Sequence, residues 1–208
     1  MECNNCHNYI NNKCTIVGIC TTNPDFINKL SGGNKMNRIY VASLSDYNNG
    51  ILHGEWIDLD FTTADEVQEQ VNKMLAASPT DPNAEEWAIH DYEMGGFEVE
   101  EYDSFDHCVK LADILEEYGE KIVGLYNNCP SNYNDLDQLT EDFDNYYRGS
   151  YDSKKEYAEE YAHETLEQLG IELPYMIPID YEGVLINLEC NGTWFTDRID
   201  GEIHAFDQ

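Results

Sequence analysis

Two sets of residues have types and spacings that could do chemistry. The first is Cys3-x2-Cys6-x7-Cys14-x5-Cys20, with His7 beside it. Four thiolates can satisfy a tetrahedral zinc ion, and a Cys-x2-Cys pair is a usual half-site. The gap between Cys14 and Cys20 is wider than a zinc ribbon uses. Three readings stay open: structural zinc held by Cys3, Cys6, Cys14 and Cys20, an unligated tail, or a redox or iron–sulfur role. The second set is His53, Glu55, His90 and Asp91, which are the residue types of an acid–base or metal site. No nucleophile elbow, phosphate loop or HExxH pattern accompanies them. They read as structural polar groups, and the chain reads as a non-enzyme. Cys108, Cys129 and Cys190 read as buried small apolar residues rather than nucleophiles. Asp58-x-Asp60 and Asp135-x-Asp137 begin like calcium loops, but neither continues into the twelve-residue pattern.

Charge is the outlying property of the 208 residues. There are 42 Asp and Glu against 11 Lys and Arg, a net charge of -31. Solubility needs a magnitude of only about 2–8 in a small domain. Repulsion at this level opposes a compact globule, which favours an elongated shape. It also disfavours nucleic acid and anionic membrane as direct partners and points to a basic one. The N-terminus lacks the basic and apolar regions of a signal peptide. No apolar run approaches the roughly 18 residues of a membrane span. The expected location is cytoplasmic, with reduced cysteines unless metal is bound.

The elements that must position these charges follow from periodicity. Residues 1–35 form a Cys-rich extension that ends in the linker Ser31-Gly32-Gly33-Asn34-Lys35. Residues 36–103 read as mixed α and β. They hold strands at Ile39–Leu44, Trp56–Leu59 and Trp87–Tyr92, a turn at Asn48-Asn49-Gly50, and a helix from Ala64 to Ala77 behind a Thr63/Glu66 capping box. Residues 104–146 read as helical. One helix runs from a Ser104 cap to Gly119, a second spans Asp135–Tyr147, and Ile122–Tyr126 is a short apolar segment between them. Residues 147–208 mix both types. A helix from Ser153 to Leu169 has a Ser153/Glu156 capping box, a shorter helix starts near Tyr181, and a hairpin turns at Asp200-Gly201. The fold class is therefore α+β, with three small domains in series behind the extension.

The acids are spread over all three segments. Residues 36–103 carry -14, residues 104–146 carry -8 and residues 147–208 carry -10. On the predicted helices they fall mostly outside the apolar stripes. The candidate interaction residues are Asp106, Asp113, Glu116 and Glu117 on the first central helix, and Asp135, Asp137, Glu141, Asp142 and Asp144 on the second. Glu156, Glu159, Glu160, Glu164 and Glu167 are those of the following helix. Like charges four residues apart destabilise a helix by roughly 0.2–0.5 kcal/mol per pair, so a sequence that repeats them gains something else. Duplex DNA carries one charge per roughly 1.7 Å, and -32 on residues 36–208 corresponds to about 54 Å of duplex. Such an array could recruit a groove built for DNA.

Tyr47-Asn48-Asn49-Gly50 followed by Leu52-His53-Gly54-Glu55-Trp56-Ile57 resembles the opening signature of the ArdA family of antirestriction proteins. Glu85-Glu86-Trp87-Ala88-Ile89-His90-Asp91-Tyr92-Glu93, then Gly96-Phe97 with Met94-Gly95 inserted, is similar to the second. Phe143–Tyr151 resembles a third, and Ile179-Asp180-Tyr181-Glu182 with Asn191-Gly192 resembles the C-terminal one. The resemblance implies a protein of mobile genetic elements, spread by conjugative transfer. It implies a double-stranded DNA mimic that occupies the DNA-binding site of type I restriction-modification enzymes. It also implies an elongated, curved homodimer of three-domain subunits joined through residues 147–208. Residues 1–35 lie outside the family pattern. Two other classes compete: an acidic adaptor for another basic DNA-binding protein, and a halophile's acidic surface, which would need salt to fold.

Overall fold

The computed structural model describes residues 9–10, 13–14, 36–128, 133 and 135–207. The chain divides into two compact units, Met1–Lys35 and Met36–Gln208. In the first, strands β1 (Tyr9–Ile10) and β2 (Lys13–Cys14) pair antiparallel. The reading of Cys3, Cys6 and Cys20 lies outside the described residues, as does that of Cys129.

The second unit opens with a three-stranded antiparallel sheet. β3 (Arg38–Ser43) is central, flanked by β4 (Gly54–Asp58) and β5 (Trp87–Glu93). Alternation turns Ile39, Val41 and Ile57 inward, and all three are fully buried. The register to β5 slips by one residue between Tyr40 and Val41, a bulge that the alternation does not announce. Between β3 and β4 the chain makes a short helix, α1 (Leu44–Asn48), capped by Ser43. Sequence reading assigned only the following turn, where Gly50 takes a φ of +79°. α2 (Ala64–Ala76) covers one face of the sheet with Val67, Val71, Met74 and Leu75. Its capping box forms as expected. The Glu66 amide donates to the Thr63 hydroxyl, and the Thr63 amide donates to the Glu66 carboxylate at 2.9 Å.

Three helices follow: α3 (Phe105–Tyr118), α4 (Lys121–Asn128) and α5 (Leu136–Tyr146). Ser104 caps α3, and Gly119 ends it at a φ of +69°. α3 buries Phe105, Cys108, Leu111, Ala112, Ile114 and Leu115, because it packs against α2, α4 and α5. The apolar segment near Ile122 is helical and buries Ile122, Val123 and Leu125.

The last part pairs β6 (Tyr147–Tyr151), β8 (Ile203–Phe206) and β7 (Trp194–Phe195) in that order, all antiparallel. α6 (Lys154–Gln168) and α7 (Tyr181–Cys190) lie between β6 and β7 in the chain and pack on each other. The Asp200-Gly201 turn has positive φ at both residues, 53° and 92°, the geometry of a tight hairpin turn. β6 was not legible as a strand, since Tyr147-Arg148-Gly149-Ser150-Tyr151 lacks an apolar alternation. The expected capping box on α6 forms by half. Ser153 accepts from the Glu156 amide, but the Glu156 carboxylate takes the Asp152 amide at 2.7 Å instead.

The molecule is therefore α+β. One apolar cluster runs from the first sheet through α2, α3, α4 and α5 to Phe206. A second, smaller cluster joins Tyr157, Ala158, Leu188 and Ala205. Phe143, Tyr147, Phe206 and Trp194 form a chain of ring contacts between the central helices and the last sheet, with centroids 4.3 to 5.7 Å apart. Among the described residues no helix is long and apolar enough to cross a membrane.

Candidate functional site

The apolar stripes decide where the carboxylates point. Each helix spends its inward positions on Leu, Ile, Val, Ala and aromatic residues, so the acids are left outside. Asp106, Asp113, Glu116, Glu117, Asp135, Asp137, Glu141, Asp144, Glu156, Glu160, Glu164 and Glu167 are all exposed, while Asp142 and Glu159 are half-buried. Among the described carboxylates only Asp46 is buried, and its role is local. It accepts from the Ser78 hydroxyl at 2.8 Å, the Thr80 amide at 3.2 Å and the Thr80 hydroxyl. These bonds tie α1 to the turn after α2.

The fold draws acids of separate elements together. On α3, partial burial raises the Glu116 carboxyl above its ordinary range, helped by the fields of Asp60 and Asp113. Asp60 follows β4, so this group spans two elements. Tyr118, at the end of α3, has its phenol raised by burial and by Asp144 of α5 and Glu117. On α6, Glu156, Glu160 and Glu164 share one side with Glu167. Burial and the fields of Glu160, Glu164 and Glu156 raise the phenol of Tyr151 across from them. A further group is Glu98, Asp103 and Glu100, whose fields add to burial in raising the phenol of Tyr126. Sequence reading left this group out because its three acids sit in a connection without a periodic face. Glu-x-Glu-Glu-x-Asp, residues 98–103, was the available signal.

Several candidate acids also hold structure. Asp135 caps α5 by accepting from the Asp137 amide at 2.9 Å. Asp137 pairs with Lys110 at 2.7 Å, linking α5 to α3. Asp142 accepts from the Tyr133 hydroxyl at 3.1 Å and the Gln138 amide at 2.8 Å. Glu159 pairs with Lys155 at 3.4 Å on its own helix. Asp106, Glu141 and Glu167 face solvent.

The cations among the described residues are engaged within the chain. Arg38 makes a two-pronged pair with Glu93 at 2.7 and 3.0 Å and lies 4.5 Å over the Trp56 ring. Lys73 pairs with Glu69, Arg148 with Asp207 and Lys154 with Glu189. Lys121 sits over the Phe143 and Tyr147 rings. Arg198 donates to the carbonyls of Gly201 and Asp152. Among the described cations, Arg38, Lys110, Arg148, Lys154 and Arg198 fasten elements together and Lys73 and Lys155 pair within their own helices, and the carboxylates far outnumber them.

The four residues of the second constellation do separate work. The His53 ring bonds the Met74 carbonyl at 2.7 Å, and the His90 ring packs edge-on against Tyr47. Glu55 and Asp91 are exposed on strands either side of β3. Among the described residues, no group of three or more His, Cys, Asp or Glu is arranged to hold a metal ion. Cys108 is buried, and burial pushes its thiol up to about 12, which makes it inert. Cys190 corrects the expectation of burial. It is exposed, because α7 turns Val184, Leu185 and Leu188 inward and residue 190 falls on the other side.

A comparison with curated proteins returns no match. A family profile described as "Antirestriction protein (ArdA)" matches residues 39–198, from β3 to just past β7. That span holds every acid group described above and covers more than half of the chain, so the chain belongs to the ArdA family of antirestriction proteins.

Proposed function

We propose that residues 36–208 act as a mimic of double-stranded DNA that occupies the DNA-binding groove of a type I restriction-modification enzyme. The carrying observation is the outward display of carboxylates from α3, α5, α6 and the 98–103 connection, with one described carboxylate buried. A groove lined by Lys and Arg gains affinity by releasing counterions from the anion it binds. Carboxylates held on helices offer it the same exchange without bases. The work asked of the protein is binding, and no catalytic step is assigned to it. The proposal includes three segments in series, 36–103, 104–146 and 147–208, and two copies joined through the last.

Fixed position is what separates a mimic from an acidic tail. Neighbouring acids on a helix stand about 5–6 Å apart. The Lys110–Asp137 pair and the aromatic contacts from Phe143 to Trp194 tie α5 to its neighbours, and Asp135 caps it. The test is cleavage of an unmodified plasmid by a purified type I enzyme with the protein added. Inhibition that weakens as salt rises supports the reading. Full cleavage across several such enzymes, with the protein in excess, contradicts it. Capture of a different basic DNA-binding protein in that case would favour the adaptor reading.

A further inference from the structure

Residues 1–35 have no part in the display of carboxylates. Lys13, Lys29 and Lys35 stand against Glu2 and Asp25, a net charge of +1, where residues 36–208 carry -32. The segment is a compact unit in its own right, Met1–Lys35. A unit of fewer than about 40 residues buries too little apolar surface to fold on that alone, and it needs disulfides, a metal or a partner chain. Cys3, Cys6, Cys14 and Cys20 put four of the chain's seven cysteines in this segment. The size of the unit asks for a staple, and its composition supplies the material for one.

The backbone brings the four cysteines to one end. Among the described residues, β1 and β2 pair Ile10 with Lys13 and Tyr9 with Cys14. Asn11 and Asn12 alone separate the strands in sequence, so Ile10 and Lys13 close the hairpin and Tyr9 and Cys14 stand at its open end. The chain that carries Cys3 and Cys6 enters at that end, and the chain that carries Cys20 leaves from it. Cys6 precedes Tyr9 by three residues, at most about 11 Å of extended chain. Partners across an antiparallel pair have Cα atoms about 4.5–5.5 Å apart. Cys6 and Cys14 are therefore within reach of one ion, and the six residues from Cys14 to Cys20 are enough chain to return the fourth thiol to it.

We propose that Cys3, Cys6, Cys14 and Cys20 hold one structural zinc ion, and that this ion folds residues 1–35 as a module separate from the DNA mimic. Zinc takes four thiolates in a closed tetrahedron, and a Cys-x2-Cys pair such as Cys3 and Cys6 is a usual half-site. Five residues between Cys14 and Cys20 match the upper end of the gap that zinc fingers use between their second pair of ligands. Iron–sulfur clusters call for other spacings, Cys-x2-Cys-x2-Cys or Cys-x4-Cys-x2-Cys. A redox Cys-x2-Cys belongs with a βαβ pattern, whereas this one leads into a hairpin. Four thiols give up four protons to solvent as four zinc–sulfur bonds form, and no electron changes hands. Binding must therefore strengthen as pH rises.

Elemental analysis of the full chain, purified under reducing conditions without chelator, tests this. One zinc per chain is expected. The pair Cys3→Ser and Cys6→Ser should lose it, and so should Cys14→Ser and Cys20→Ser. Cys190→Ser and His7→Ala should keep it. Cobalt(II) added to the metal-free chain should give the colour of a tetrahedral thiolate site, absent from the same variants. The second unit has its own apolar core, so its thermal midpoint should stay put in every variant, which separates loss of zinc from loss of the fold. A chelator should expose residues 1–35 to protease and leave the second unit intact. A chain without stoichiometric metal, iron in place of zinc, disulfides among the four cysteines, or zinc retained by the Cys→Ser variants overturns the proposal. Since these cysteines take no part in the acid display, such a failure leaves the mimic reading standing.

Discussion

At the residue scale, the informative side chains are the few that break the outward rule. Asp46 is fully buried yet holds its proton weakly. Burial alone would raise its pKa, but the hydroxyls of Thr80, Ser43 and Ser78 and the Thr80 amide outweigh that and lower it from 3.8 to about 2. A carboxyl whose folded pKa is depressed stabilises the fold above its unfolded pKa and loses that contribution as pH falls through the folded one. Asp46 therefore contributes fully above pH about 4 and progressively less down to pH about 2. Asp46→Asn should lower the thermal midpoint at pH 7 by several degrees and flatten its acid limb between these values. An unchanged midpoint would show that the turn at Ser78–Asp81 holds without it. Gly124 is the second such residue. A Cβ there would stand 2.3 Å from the Thr196 methyl, where α4 meets the β7 end of the last sheet. Gly124→Val should cost about 1–3 kcal/mol by overpacking, read as a shift in the urea midpoint.

At the element scale, α6 is the clearest trade between stability and charge. Glu156, Glu160, Glu164 and Glu167 follow at spacings of four, four and three along one side. Replacing all four by Gln removes like-charge repulsion worth about 1 kcal/mol in total. The variant should melt at or above the parent and inhibit restriction less. If it inhibited as well as the parent, the α6 face would lie outside the contact. Most helices were legible because an apolar stripe and a cap coincide in each, as with Thr63 and Glu66 on α2 and Ser104 on α3. α1 and β6 were not. α1 is a five-residue helix made by one cap and a buried aspartate, and β6 is a strand held by its partner β8 rather than by its own pattern. The candidate acids on helices were legible for the same reason as the helices. Glu98, Glu100 and Asp103 were not, since only folding brings their fields to Tyr126.

At the scale of the whole molecule, charge is shared among many residues, so no single acid should dominate. Individual Asp→Asn or Glu→Gln changes on α3 and α5 should alter inhibition by less than about threefold, and grouped changes should add. Loss of inhibition from one change would point to a localised contact. Folding should persist at low salt, where a halophilic protein would unfold. In the sequence, apolar periodicity marks the scaffold and many of the remaining helical positions carry charge, while Asp135, Asp137 and Asp142 serve the scaffold as well. The most direct test is competition between this protein and a labelled duplex for a purified type I restriction enzyme. The account predicts complete displacement of the duplex at saturating protein, with the logarithm of the affinity falling linearly with the logarithm of salt. Binding to the enzyme that leaves the duplex in place would contradict it.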